Sequence, residues 1–403
     1  MAKSTTCVYL ANTFLFLSLV LFLLLLLWTI SSLYNPIPII HSPFTKPKSE
    51  PKLEPNGVVG SPNCAAHELC DPLEKSFYDN PGLSYSIEKP MKNWDEKRSD
   101  WLKQHPSFAI GARDRILVVT GSQPLPCENP IGDHLLLRLF KNKVDYCRIH
   151  GYDIFYNNAY LHPKMDAYWA KFPVIRAAML AHPEVEWIWW IDSDAVFTDM
   201  EFKVPLDRNC QWSMDLVNDW AEMGPNSPNY EKWGQLQLST FKDKTYPHSD
   251  DQSALIYLLF KHKDKWGSKT YIENEYYFQG YWVEIVKTYE NITEGYKEVE
   301  ILGPTLRRRH AEKLSEYYAK LREPYLEDAG YKRRGRRPFV THFTGCQQCN
   351  GNHNPMYVGD TCWTEMQRAL NFADNQVLRN YGFVHPDLMN SSFVSPLPFD
   401  YPA

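Results

Sequence analysis

Between residues 115 and 194 the chain alternates short apolar runs with longer amphipathic ones, and that alternation leaves few folds open. Arg115-Ile116-Leu117-Val118-Val119-Thr120 reads as a buried strand ending at Gly121-Ser122. Asp133 opens an amphipathic helix running to about His150, where Gly151 is a natural stop. Tyr152-Asp153-Ile154-Phe155-Tyr156 is the next strand, a helix covers roughly Tyr168 to Ala181, and Pro183 breaks it ahead of Trp187. Strand, helix, strand, helix, strand implies an α/β fold with a parallel sheet and crossover helices. Ligands of such sheets bind outside the carboxyl ends of the strands. Thr120-Gly121-Ser122 and Asp192-Ser193-Asp194 both fall at that edge.

The run Trp187-Ile188-Trp189-Trp190-Ile191 reads as a buried strand, and it stops abruptly at two carboxylates one residue apart. Residues i and i+2 of a strand share a face, so Asp192 and Asp194 are expected to point the same way. Like charges so placed repel unless a cation lies between them, and their oxygens suit a hard divalent ion such as Mg or Mn. An Asp-x-Asp triplet is also common in turns. After an aromatic strand it fits a metal-bound nucleotide diphosphate, whose departing charge needs balancing. A rival is a phosphohydrolase, with Asp192 as nucleophile and Asp194 as general acid. That architecture places the motif on its first strand, whereas here two strands precede it.

The segment from Val8 to Leu33 is nearly continuous in apolar residues, long enough to span a bilayer, and lacks a small-x-small cleavage site. Residues 1–12 are therefore read as a cytosolic tail, 13–33 as an uncleaved anchor, 34–90 as a Pro-rich stem and 91–403 as the catalytic body. The body would lie on the lumenal side. Asn291-Ile292-Thr293 and Asn390-Ser391-Ser392 are N-glycosylation acceptors, which suits a lumen. Eight of the nine cysteines follow the span, so disulfides are open to them in any pairing. Cys346, Cys349 and Cys362 lack a fourth ligand at zinc-finger spacing, which puts disulfides or free thiols ahead of zinc. A net charge of −5 makes no case for nucleic acid. The 14% aromatic content suits sugar stacking or large cores equally.

Further along, Asp207 to Gly224 is mostly helical in pattern, and Asp250-Asp251-Gln252 opens an apolar helix through Phe260 with Asp250 as a natural cap. Leu306 to Leu321 reads as a charged surface helix, and Lys332 to Arg337 as a solvated basic loop. Pro338-Phe339-Val340-Thr341-His342-Phe343 is the final strand.

Five segments carry a resemblance: Gly121-Ser122-Gln123-Pro124-Leu125-Pro126-Cys127-Glu128-Asn129-Pro130, Trp189-Trp190-Ile191-Asp192-Ser193-Asp194-Ala195, Asp250-Asp251-Gln252-Ser253-Ala254, Phe339-Val340-Thr341-His342-Phe343 and Asn371-Phe372-Ala373-Asp374-Asn375-Gln376. Together, and in this order from about residue 90 onward, they resemble glycosyltransferase family 34. That plant family contains xyloglucan 6-xylosyltransferases and galactomannan 6-galactosyltransferases. The resemblance implies a single GT-A (Rossmann-like, nucleotide-sugar-binding) domain behind an anchor, in a type II Golgi membrane protein. It implies Mn2+, retention at the anomeric carbon, a polysaccharide acceptor, and association with itself or with Golgi polysaccharide synthases.

Carried over by position, Asp192, Asp194 and His342 resemble the metal ligands. Gly121, Ser122, Ser193, Gly345 and Gln347 match the donor-binding segments. Asp250, Asp251 and Gln252 match the segment beside the reacting sugar, with Gln252 supporting charge at the anomeric carbon. The loop Gly345-Cys346-Gln347-Gln348-Cys349 lacks the Lys of xylosyl members, and the segments Arg307-Arg308-Arg309-His310 and Val394 to Phe399 also resemble the galactomannan branch. UDP-galactose and a mannan acceptor are accordingly expected over UDP-xylose and a glucan.

One junction departs from the family. After Pro205-Leu206-Asp207-Arg208 the family continues for roughly thirty residues, the scale of a supersecondary unit, before Asn209-Cys210-Gln211-Trp212. That stretch, absent here, would carry a strand beside the donor and acceptor sugars. The expectation is an alternatively spliced product or a mis-assembled gene reading, with an intact metal half and a damaged sugar half. An inactive short form acting as a scaffold is the corresponding non-catalytic expectation.

Overall fold

The computed structural model describes residues 76–77, 80, 90–108, 115–161, 165, 167–203, 209–270, 281–303, 306, 315–328 and 335–397, all within one compact unit, Ser61–Ala403. The expected tail, anchor and nearly all of the stem lie outside these residues, as do 204–208, 307–314 and 332–334. Among the described residues no helix is long and apolar enough to cross a membrane.

Helix α1 (Trp94–Gln104) precedes the sheet. Strand β1 (Ile116–Gly121) is central, with β2 (Asp153–Asn157) and β3 (Trp187–Trp190) on its two sides, both parallel to it. Helix α2 (Gly132–His150) connects the first two strands and α3 (Lys171–Ala181) the next two, as the alternation requires. Gly151 closes α2 at φ 71°, a left-handed conformation that glycine adopts without steric cost. The pleat divides β1 between two cores. Ile116 and Val118 pack with Leu135, Leu139 and Tyr146 of α2, while Leu117 and Val119 pack with Val174 and Ala178 of α3. Strand β3 is half-buried along its whole length rather than fully buried, because it lies at an edge of this sheet.

Two short ladders complete the sheet content of the described residues. Strand β4 (Ala195–Phe197) pairs antiparallel with β5 (Val340–His342), and β6 (Phe383–Val384) with β7 (Ser395–Pro396). The strand at Val340 is therefore not the last one, a correction to the sequence reading. The later strands are too short and too exposed to show an alternating pattern.

Helices α4 (Gln211–Ala221), α5 (Tyr230–Thr240) and α6 (Asp251–Lys261) form a second layer, packed through Trp169, Phe172, Leu258 and Trp266. Helices α7 (Tyr289–Leu302), α8 (Ser315–Asp328) and α9 (Thr361–Tyr381) follow. The described part of the charged helix runs from Ser315 to Asp328, beyond the expected end at Leu321, and residues 307–314 lie outside the described residues. Arg337, expected in a solvated loop, instead pairs with Glu201 at 3.0 Å and lies over the Tyr296 ring at 4.1 Å.

The cysteines among the described residues divide cleanly. Cys127 bonds to Cys349 and Cys346 to Cys362, which leaves no thiolate of that trio for zinc; Cys147 and Cys210 are free thiols. The Asn371–Gln376 segment lies in α9 and is structural. Gln376 Nε2 donates to Thr198 O at 2.9 Å and its Oε1 accepts from Met200 N at 3.1 Å, so it anchors the chain leaving β4.

Candidate active site

Strand β1 delivers Gly121 and Ser122 to the carboxyl edge of the sheet. A Cβ on Gly121 would lie 2.4 Å from the Asn157 carbonyl oxygen, so only glycine fits. Ser122 N donates to the same carbonyl at 3.0 Å, and Tyr156 Oη donates to Ser122 Oγ at 2.6 Å.

The second element at this edge is a turn rather than a continued strand. Pairing ends at Trp190, and Ala195 N donates to Asp192 O at 3.2 Å. Asp192 and Asp194 thus converge because the backbone turns, not because of the β pleat. The third element is β5. Its ladder sets His342 opposite Ala195, and Phe343 N reaches Asp194 O at 3.2 Å. His342 Nε2 lies 3.2 Å from Asp194 Oδ1 and 3.6 Å from Asp192 Oδ2.

These three residues can each offer one ligand atom, with all three atoms within 4.8 Å of one another. Neighbouring ligands of an octahedral ion at ~2.1 Å stand about 3 Å apart. Two carboxylate oxygens and one imidazole nitrogen are a donor set that Mn2+ accepts. The residues present therefore fit a divalent cation. Asp192 Oδ1 accepts from Trp190 Nε1 at 2.7 Å, which leaves Oδ2 toward His342.

Burial works against charge on Asp192 and His342, and neighbouring charges reverse it. Burial would raise the Asp192 carboxyl, but Lys171, the Trp190 hydrogen bond and His342 hold it below its ordinary value. Burial would lower the His342 imidazole, but Asp194, through a hydrogen bond and its charge, and then Asp192 carry it above 6.5.

Three side chains that the sequence analysis did not single out meet this turn. Lys143 of α2 reaches the Ser193 and Ala195 carbonyls. Desolvation lowers its ammonium to about 8, opposed by the charges of Asp194 and Asp192. Lys171 at the start of α3 lies 3.4 Å from Asp192 and 2.5 Å from Asp251. Gln348 Nε2 donates to Ser193 Oγ at 3.2 Å. A lysine on the apolar Leu135–Leu139 face of α2 was the readable signal for the first; Lys171 and Gln348 carried none.

The other expected residues are placed as follows. Gly345 adopts φ +83° where the chain leaves β5, and Gln347 is exposed, its Oε1 accepting from Asn350 at 2.6 Å. Gln348 rather than Gln347 touches the turn. Asp250 caps α6 by accepting from Ser253 N at 2.8 Å and pairs with buried Lys244. Asp251 joins the cluster through Lys171, whereas Gln252 is exposed on the first turn of α6. Asn291 is exposed in the first turn of α7, and Asn390 is exposed in the loop before β7.

The sequence profile of the galactosyl transferase GMA12/MNN10 family, glycosyltransferase family 34, matches residues 112–207 and 204–353. The chain belongs to this family. Galactomannan galactosyltransferase 1 of Cyamopsis tetragonoloba is 56% identical, over 94% of this chain and 94% of its own. Glycosyltransferase 6 of Arabidopsis thaliana is 54% identical over 100% of this chain and 98% of its own, and Probable xyloglucan 6-xylosyltransferase 5 of the same plant is 41% identical over 82% and 74%. By family the chain is a glycosyltransferase of the hexosyltransferase type.

The family comparison also bears on the junction. The alignment with Glycosyltransferase 6 runs over 437 positions against 403 residues in this chain, so at least 34 positions of that family member have no counterpart here. The profile match breaks at 204–207, next to Arg208.

Proposed function

We propose that this family member is a GT-A enzyme that transfers α-galactose from UDP-galactose to the 6-hydroxyl of mannosyl residues, with retention and with Mn2+. The observation that carries the reading is the convergence of Asp192, Asp194 and His342 at the sheet edge of a chain 56% identical to a galactomannan galactosyltransferase. Asp192 and Asp194 would hold the cation and His342 would complete the protein ligands. A bound divalent ion supplies Lewis acidity and neutralises the diphosphate of the donor. Gly121 lets the Asn157 carbonyl approach where a Cβ would stand, and with Ser122 it would offer backbone to the nucleotide at the sheet edge. Lys171 holds Asp251 beside the ligand set, so with a donor bound this carboxylate would be available to support positive charge developing on the sugar. A Golgi membrane protein with its catalytic body in the lumen, N-glycosylated at Asn291 and Asn390, is the setting we propose. The Cys127–Cys349 and Cys346–Cys362 disulfides suit such an oxidising compartment.

The experiment is UDP release by the full chain in detergent, with Mn2+ and mannan oligosaccharides, comparing UDP-galactose with UDP-xylose. Release that needs Mn2+, UDP-galactose and mannan supports the proposal. Preference for UDP-xylose and a glucan would move the chain to the xylosyl branch. Mn2+ and UDP binding without transfer would identify the short chain as a non-catalytic partner, in keeping with the family positions that have no counterpart in it.

A further inference from the structure

Lys143 is 1% exposed, on a face of α2 that otherwise carries Leu135, Leu139 and Tyr146. A buried ammonium is costly unless its donors are satisfied. Lys143 Nζ satisfies its three donors on backbone carbonyls, Ala195 O at 2.8 Å, Ser193 O at 3.1 Å and Leu139 O at 3.4 Å. Two of those carbonyls belong to the residues on either side of Asp194. The contact therefore ties the interior of the first crossover helix to the backbone of the turn that bears both carboxylates. Lys171 differs in kind, because it meets the carboxylates themselves.

We propose that Lys143 is a positioning residue for the cation site: it clamps the Ser193 and Ala195 carbonyls so that Asp192 and Asp194 present their oxygens to His342 at ligating distances. This rests on the metal-binding reading of Asp192, Asp194 and His342. The lysine acts on metal affinity in two opposite ways. Its charge, close to the two carboxylates, disfavours a second cation. Its hydrogen bonds hold the turn, and a group that orients ligands from outside typically alters metal affinity by about 10–100-fold. If clamping dominates, removing the ammonium weakens metal binding even though a repelling charge is lost.

The test is Mn2+ titration of the purified full chain, following free Mn2+ by electron paramagnetic resonance, alongside thermal unfolding of the metal-free protein. Lys143→Met is expected to weaken Mn2+ binding by about tenfold or more. Lys143→Arg, which keeps charge and donors, should return it to within about threefold of the parent protein. Unchanged or tighter binding by folded Lys143→Met would overturn the clamp, whatever the change in melting temperature. Should Lys143→Met fail to fold, Lys143→Gln separates the two effects. The amide can still donate to the turn carbonyls, so binding close to the parent supports clamping, and binding as weak as that of Asp194→Asn overturns it. A parent protein that does not bind Mn2+ overturns the metal reading and the clamp together, whereas a binding parent with an indifferent Lys143→Met overturns the clamp alone.

Discussion

The turn bearing Asp192 and Asp194 is held by backbone: the β4–β5 ladder brings His342 to Asp194 across 148 positions, and Phe343 N bonds directly to Asp194 O. Asp250 and Asp251, at the start of α6, are met instead by the side chains of Lys244 and Lys171 and by the helix cap. The first arrangement is braced further by the Cys127–Cys349 bond, which joins the loop after β1 to the loop after β5. The second depends on individual charges and lies in the helical layer that begins just after the junction at 204–208. A site half built on a ladder tolerates the loss of a single side chain. A half built on ion pairs does not, because one deletion leaves its partner charged and buried.

That contrast can be broken first at Asp250. Asp250→Ala strands Lys244, whose side chain is 2% exposed, and removes the cap, so a stability loss of about 3–5 kcal/mol is expected in urea unfolding. Asp250→Asn keeps an acceptor for Ser253 N and should lose clearly less. Equal losses would mean that the ion pair, which both variants remove, and not the cap holds this half.

On the ladder side, Asp194→Asn should leave folding almost intact while weakening Mn2+ binding by about 100-fold or more, as read by calorimetric titration. Unfolding instead would show that the two halves are not built differently. The disulfides sharpen the same point. Cys127–Cys349 spans 222 positions and Cys346–Cys362 spans 16, so in the chain-entropy account removing the first by paired Ser substitutions should cost about 2 kcal/mol more.

Acidity gives a smaller test with a definite sign. The His342 proton is favoured in the metal-free fold, so its stabilising contribution is fully present below pH 6.5 and is lost as pH rises through the elevated folded value. Mn2+ requires the deprotonated ring, so its affinity should fall by about tenfold per pH unit below that folded value. His342→Gln should flatten both dependences. Last, Lys171→Met removes a cation 3.4 Å from Asp192 and is expected to tighten Mn2+ binding by roughly threefold. Weaker binding would mean that Lys171 orients Asp192 and ties the two halves into one unit.

Much of this was legible in one dimension. Val118 sits in an unbroken apolar run and Leu135 on the apolar face of an amphipathic helix, so β1 and α2 could be drawn from the sequence. Asp192 and Asp194 stood out because charge followed an aromatic run, and the junction after Arg208 showed in the family pattern. His342 came from resemblance alone, since a histidine in a strand announces no partner. Asp192 and Asp194 converge through a turn, where an extended strand was expected; the two geometries have the same residue spacing and cannot be told apart by it. Lys171 and Gln348 were missed because a lone lysine or glutamine shows neither what lies above it nor how deeply it is buried, whereas Lys143 was marked by its place on the apolar face of α2.

Local chemistry, then, settled the alternation of strands and helices, the stop at Gly151 and the pair of carboxylates at a sheet edge, because burial period and backbone preference belong to neighbouring residues. Tertiary structure decided which distant groups meet those carboxylates: His342 from β5, Lys143 from inside α2, Lys171 from α3. It also decided which cysteines pair. Such meetings depend on how separate elements pack in space, and the spacing of residues along a chain carries no measure of that distance.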